Sequence, residues 1–180
     1  QKLNKIEVNS YLRPEQMLSK DGTMITGIYV DGKVQYLNSQ YSPLKEAEKF
    51  VKQYSDINAY GIMVMCGLGN GIIANQMLSS LGEHVRFFFY EPSIEIFIHV
   101  LHNYDLSQLI NNTRAFIFVE GLNSSEFELS LNDVIGESNY RYIYYDALPK
   151  YRLLFPDSFS DIFTKYEAAV QNVRNNIETR

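Results

Sequence analysis

The sequence predicts an α/β fold in which a mostly parallel sheet with flanking helices is preceded by an N-terminal β-hairpin. Three observations point to it. Short apolar runs recur at residues 62–65, 85–90, 115–119 and 140–145, each too brief for a helix. Segments of helical periodicity separate them, and such alternation with short connections implies right-handed crossovers and a sheet covered on both faces. Ahead of this series, Asp31-Gly32 lies between two β-rich runs, 24–30 and 33–37. That pair marks a type I′ hairpin, which needs positive φ at both central residues.

Each helix carries its own signals. Ser42-Pro43 offers an N-cap followed by proline at the first helical position, and Leu44, Ala47, Phe50 and Val51 then share a face. Ser55-Asp56-Ile57-Asn58 breaks the chain before the first parallel strand. A helix over 71–81 turns Ile73, Met77, Leu78 and Leu81 inward and stops at Gly82, a residue suited to a left-handed C-cap. The next helix covers 93–101, and Asp105-Leu106-Ser107-Gln108 reads as a capped helical turn. Ser125-Glu126-Phe127-Glu128 has the form of a capping box and opens a helix ending near Gly136. A last helix, 158–178, aligns Ile162, Tyr166, Ala169, Val170, Val173 and Ile177. Tyr140, Tyr142 and Tyr144 fall on one face of the fourth strand, a pattern commoner in cores than in stacking platforms.

With 180 residues and 46% apolar content, the chain has the size and composition of one main globular domain. Its net charge of −5 and lack of a dense Lys/Arg cluster exclude the basic face that nucleic acid requires. Cys66 stands alone, and no Cys/His spacing resembles a zinc site, which suits a reducing compartment; a cytoplasmic location is expected. No apolar run approaches the roughly 20 residues of a membrane span, so no membrane partner is expected. The polar start Gln1-Lys2-Leu3-Asn4-Lys5 is not a signal peptide, and an opening on Gln without Met fits a trimmed chain.

The chemistry concentrates in Met63-Val64-Met65-Cys66-Gly67-Leu68-Gly69-Asn70-Gly71, where an apolar strand ends in three alternate glycines and a helix follows. A tight strand-to-helix turn, close approach of backbone to ligand, and amides at a helix N-terminus each ask for glycine. A dinucleotide fingerprint needs a small residue three positions after its second glycine; Ile72 stands there, which weakens a nicotinamide or flavin reading. Gly-x-Gly-x-Gly instead resembles the first motif of class I S-adenosylmethionine-dependent methyltransferases, which implies a Rossmann-like, methyltransferase-like fold. Glu91, 20 residues beyond Gly71, ends the next strand, where a carboxylate accepts hydrogen bonds from ribose 2′- and 3′-hydroxyls. The expected nucleotide-type site is therefore Gly67, Leu68, Gly69, Asn70, Gly71 and Glu91, with Glu120 and Asp146 as its further candidates. The alternative is a turn built for packing, with Glu91 capping the following helix. Met65 occupies the place, two before the first glycine, where those methyltransferases usually have an acidic residue for the methionine amino group. A nucleotide or nucleotide-sugar is thus favoured over S-adenosylmethionine.

Glu120 and Asp146 follow the third and fourth strands, at the sheet edge where ligands of open α/β folds bind; each is a site residue or a solvated loop carboxylate. Asp146-Ala147-Leu148-Pro149 resembles the acid-x-x-Pro after this strand in amino-methyltransferases. His99 and His102, with Glu95 one turn earlier, have a spacing that a metal allows, but no further His or Cys is spaced with them as a ligand set. A solvated helix face is expected there, with no metal. Cys66 reads as a small buried thiol, and no Ser/His/Asp set is discernible.

Taken together, Leu37-Asn38-Ser39-Gln40-Tyr41-Ser42-Pro43, Glu46-Ala47, the turn 67–71, and Tyr90-Glu91-Pro92 with Ile94, Glu95, Ile96 and Phe97 resemble the N-terminal domain of the motility accessory factor (Maf) glycosyltransferases. Asn175-Asn176-Ile177-Glu178-Thr179 is similar to the segment that leads into their next domain. The resemblance implies an accessory domain in bacterial flagellin glycosylation, where nonulosonic acids pass from CMP-activated donors to Ser or Thr. Transfer in that family belongs to a central domain marked by a Gly-Pro-Ser-Leu motif, which this sequence lacks. The implied partners are a small nucleotide-type ligand, a following glycosyltransferase domain and flagellin. The second function class is a methyltransferase using Gly67, Gly69, Gly71 and Glu91 for cofactor, with Asp146 near the acceptor. The chain divides into a hairpin-and-helix segment (1–57), a Rossmann-like nucleotide-type domain (58–157) and a C-terminal helix (158–180).

Overall fold

β1 (Arg13–Leu18), β2 (Met24–Val30) and β3 (Lys33–Tyr36) form an antiparallel sheet of order β1-β2-β3 in the computed structural model, which describes residues 12–179. The β2–β3 hairpin turns as expected: Asp31 and Gly32 adopt φ of 50° and 76°. No sequence signal marks β1. Its proline and polar residues suit only an edge strand, and at the edge it pairs with β2.

Helix α1 (Pro43–Lys52) starts with its proline in the first turn, but the Ser42 side chain caps nothing. Ser39 organises this entry instead. Its Oγ accepts the N–H groups of Tyr41 and Ser42 at 3.2 and 3.3 Å, and its own N–H donates to Glu46 Oε2 at 2.7 Å. Ala47 and Val51 face the core, whereas Leu44, expected inward, is 54% exposed.

The αβ alternation follows in chain order: β4 (Ile62–Cys66), α2 (Ile72–Ser80), β5 (Arg86–Glu91), α3 (Ile94–Asn103), α4 (Ser107–Ile110), β6 (Ala115–Val119), α5 (Phe127–Val134), β7 (Ile143–Ala147), α6 (Tyr151–Leu154) and α7 (Pro156–Glu178). The four strands make a wholly parallel sheet of order β6-β5-β4-β7, with Ile62 opposite Arg86 on one side and Ile143 on the other. From β4 the chain steps outward through β5 and β6, then returns to the opposite flank of β4. Such a reversal creates a switch point, and it puts the C-terminal end of β4 where open α/β sheets hold their ligands. The fold class expected from the sequence is the one observed.

Burial explains the near-continuous apolar strands. Every residue of β4 is inaccessible, as are Phe87, Phe88 and Phe89 of β5. Phe88 stacks on Phe116 with ring centroids 4.6 Å apart and meets Phe127 edge-on. Each such ring removed from water stabilises the fold by about 1.5–3 kcal/mol. Helix α7 packs on β4, β7 and α5, while α1 packs on α2. The small sheet is tied to α3 and the residue after it, where Gln16 donates to the Asn103 carbonyl at 3.1 Å and Thr26 to the Tyr104 hydroxyl at 2.9 Å. Among the described residues no helix is long and apolar enough to cross a membrane.

Four further local expectations are corrected. Gly82 takes no left-handed conformation; α2 ends at an extended Leu81, and Arg114 donates to Leu78 O in its last turn (2.7 Å) and to Gly82 O just beyond it (2.9 Å). The capping box at Ser125 does not form, because a 3₁₀ turn (Ser124–Glu126) leads into α5 and leaves no side-chain cap. The fourth strand begins later than 140, so Tyr140 and Tyr142 do not share a strand face with Tyr144. Asn139 holds them in a turn, its side chain bonded to Gly136 N and Val134 O. The last helix also starts two residues earlier than expected, at Pro156.

Candidate functional site at the glycine turn

Strand β4 runs into the turn at Gly67, and the three glycines are where the backbone must bend backwards: φ is 104° at Gly67, 55° at Gly69 and 82° at Gly71. Side-chain-bearing residues rarely adopt these angles, so the alternate spacing is a backbone requirement. Gly67 N–H donates to Tyr90 O at 2.7 Å, which stitches the turn to β5.

Glu91 lies at the end of β5 and is 1% exposed. Its Oε2 accepts the N–H groups of Leu68 (3.0 Å) and Gly69 (3.2 Å) together with the Tyr151 hydroxyl (2.8 Å); Oε1 accepts Ser93 N–H at 3.1 Å. Burial pushes the carboxyl up to about 7, and the donors from Leu68, Tyr151, Ser93 and Gly69 offset part of that rise by stabilising the anion. Ser93, not Glu91, caps α3: its Oγ accepts Ile96 N–H at 3.2 Å and donates to Glu95 at 2.7 Å. Asn70 is buried at the crest of the turn, and its Oδ1 accepts Ile72 N–H at 3.3 Å.

Side chains of this chain fill the space above the glycines. A Cβ on Gly67 would stand 2.6 Å from the Tyr151 ring, one on Gly69 3.2 Å from Leu148, and one on Gly71 2.8 Å from Leu106. Met65 is wholly buried within β4 and opposes Phe89 and Asp146 in the sheet. The Tyr151 phenol thus holds the carboxylate oxygen that a ribose hydroxyl would use.

The other two carboxylates serve separate clusters. Glu120, just beyond β6, accepts from the Tyr90 hydroxyl in a very short contact and from Ser124 Oγ at 3.3 Å. A pocket of about 540 Å³ opens there, lined by Tyr90, Glu120, Asp161 and Lys165 among others, with the Lys165 ammonium 5.5 Å from the Tyr90 ring centre. Asp146 lies within β7, where Tyr54 donates to it in a very short contact and Arg152 approaches at 2.6 Å. The structure thus joins the glycine turn to Glu91 but gives Glu120 and Asp146 their own partners. His99 is half-buried against the Tyr104 ring, and burial lowers its pKa. Among the described residues no group of three His, Cys, Asp or Glu is placed to hold a metal ion.

Sequence reasoning missed the part of Tyr151, Leu148 and Leu106 in closing the turn: Leu148 and Leu106 stood inside short turn motifs read for their neighbours, and a lone tyrosine has no motif. Asp105 offers a hint for Leu106, because its side chain accepts Ser107 N–H at 2.9 Å and so sets the turn that presents that leucine.

No family model matches the sequence, and no curated protein matches it. Among solved structures, the chain is similar to spermidine synthase from Thermotoga maritima, at 13% identity and a TM-score of 0.45 over 71% of this chain and 42% of that one. It is also similar to fibrillarin from Aeropyrum pernix, solved with S-adenosyl-L-methionine bound, at 11% identity and a TM-score of 0.34 over 79% of this chain and 65% of that one. The chain spans less than half the length of the spermidine synthase.

Proposed function

We propose that this chain is an accessory Rossmann-like domain of a Maf-type protein glycosyltransferase, which binds a nucleotide-type ligand or acts as a scaffold and performs no transfer itself. The observation that carries the accessory part is the state of Glu91. All four hydrogen bonds to its carboxylate come from within the fold, and they lock the glycine turn to β5 and α6. The resemblance to Maf N-terminal domains supports the glycosylation context, and its Ser39 and Glu46 are bonded to one another at the start of α1. Transfer to a Ser or Thr hydroxyl needs a base beside the acceptor and a clamp for the leaving nucleotide. Glu120 is bonded to Tyr90, and Asp146 to Tyr54 and Arg152, which supports a structural role for both. The test is an assay of the purified chain with radiolabelled CMP-nonulosonate and flagellin. No transfer above the no-enzyme control is expected; turnover abolished by a point substitution in this chain would refute the proposal.

A second reading, an S-adenosylmethionine-dependent methyltransferase, draws support from the three positive-φ glycines at the switch point with Glu91 beside them. Met65 in the place of an acidic residue weighs against it. Calorimetric titration with S-adenosylhomocysteine, CMP and UDP-sugars separates the readings: micromolar binding of the first alone supports methyl transfer.

A further inference from the structure

Three of the four donors that hold Glu91 are backbone amides fixed by the turn and by α3, and they cannot leave without unfolding it. The fourth is different. Tyr151 arrives on α6, one helical turn of four residues between Pro149 and Pro156, with Leu153 78% exposed on its outer side. Apart from the Tyr151 bonds, this segment is hydrogen-bonded to the sheet, among the described residues, only through Leu148 N–H to Cys66 O at 3.0 Å and the half-exposed Arg152 to Asp146, and it packs on the core through Leu148 and Tyr151. The Tyr151 hydroxyl also accepts Gly69 N–H at 3.2 Å, so it meets both the carboxylate and the turn amide as a bound hydroxyl would.

We propose that Tyr151 is a removable stopper in the nucleotide site, taking the place of a ribose hydroxyl until a ligand with vicinal hydroxyls displaces it and residues 148–155 swing away. This rests on the nucleotide-binding form of the function proposed above. Displacement exchanges one O–H donor on Glu91 for another, so the carboxylate never has to be left buried and unpaired. The ring departs from the face of Gly67, which has no Cβ, so backbone alone bounds the vacated space on that side. Ligand affinity is then reduced by the fraction of molecules in the closed state, and variants that weaken the closure bind more tightly.

The experiment titrates wild type, Tyr151→Phe and Tyr151→Ala with CMP, UDP-glucose and S-adenosylhomocysteine, and follows hydrogen exchange of the wild type with each probe. Tyr151→Phe keeps the ring's volume and so decides the matter if Tyr151→Ala does not fold. Binding about tenfold tighter by Tyr151→Phe is expected from loss of one hydrogen bond to a charged group. In the wild type, exchange should rise across 148–155 on binding while Leu68 and Gly69 stay protected. Equal affinities with unchanged exchange at 148–155 would overturn the stopper and leave nucleotide binding intact. Absence of binding by every folded variant at millimolar probe would overturn both.

Discussion

A Cβ on Gly67 would stand 2.6 Å from Cδ1 of Tyr151, in a residue whose φ is already 104°. Gly67→Ala therefore meets two costs, a strained backbone and an overpacked ring, and is expected to destabilise the fold by roughly 2–5 kcal/mol. Gly121, at φ 75° with nothing near its missing Cβ, is the control. There the substitution carries the backbone cost alone, about 1–2 kcal/mol. Equal losses for the two variants in urea unfolding would show that Tyr151 does not press on the turn.

Glu91 sets a pH dependence with a definite sign. Burial raises its carboxyl from 4.5 to about 7, so the folded state holds a proton that the unfolded chain has already released in that window. Stability from this group is full below 4.5, declines as pH rises towards 7, and is level above it, at about 1.4 kcal/mol per pH unit of difference. Thermal melts across this range should show the decline, and Glu91→Gln should flatten it. An unchanged slope in the variant would assign the dependence elsewhere.

The bonds that Asp146 accepts from the Tyr54 and Arg152 side chains are of unequal worth. Tyr54 is part-buried, and Asp146 and the desolvation of the phenol together hold its pKa well above the usual range, desolvation being the larger cause. Tyr54→Phe should cost about 1.5–3 kcal/mol, the scale of a hydrogen bond to a charged group. The Arg152 side chain is 58% exposed, so Arg152→Gln should cost under about 1 kcal/mol. Chemical denaturation of both variants checks the order, and a larger loss from Arg152→Gln would invert the assignment.

Cys66 is inaccessible, and burial, with the Glu91 charge adding, pushes its thiol up to about 12. The native protein should therefore resist a thiol-specific disulfide reagent at pH 8, while protein in denaturant reacts at once. Stoichiometric labelling of native protein within minutes would contradict the buried placement.

The parallel strands, the hairpin and the glycine turn were legible in the sequence because each follows from a local rule: apolar run length, paired positive φ at Asp31-Gly32, and glycine at backward bends. The failures share a cause as well. Arg114 satisfies the end of α2 from 32 residues beyond Gly82, and Asn139 reshapes the approach to β7, so tertiary hydrogen bonds override the local cap and strand signals. The pairing of Glu91 with the turn could be anticipated from strand order, since adjacent parallel strands end side by side. Tyr151 could not, because its position over Gly67 depends on how the segment after β7 folds back.

The sheet order also bears on the protein during its synthesis. Strand β4 is the first of the parallel strands to be made, yet one of its two neighbours, β7, is the last. Until that late partner emerges, one flank of five fully buried residues offers unpaired N–H and C=O groups to any passing strand. A nascent chain stalled before Ile143 thus leaves an open pairing edge at its own centre, the feature that invites aggregation.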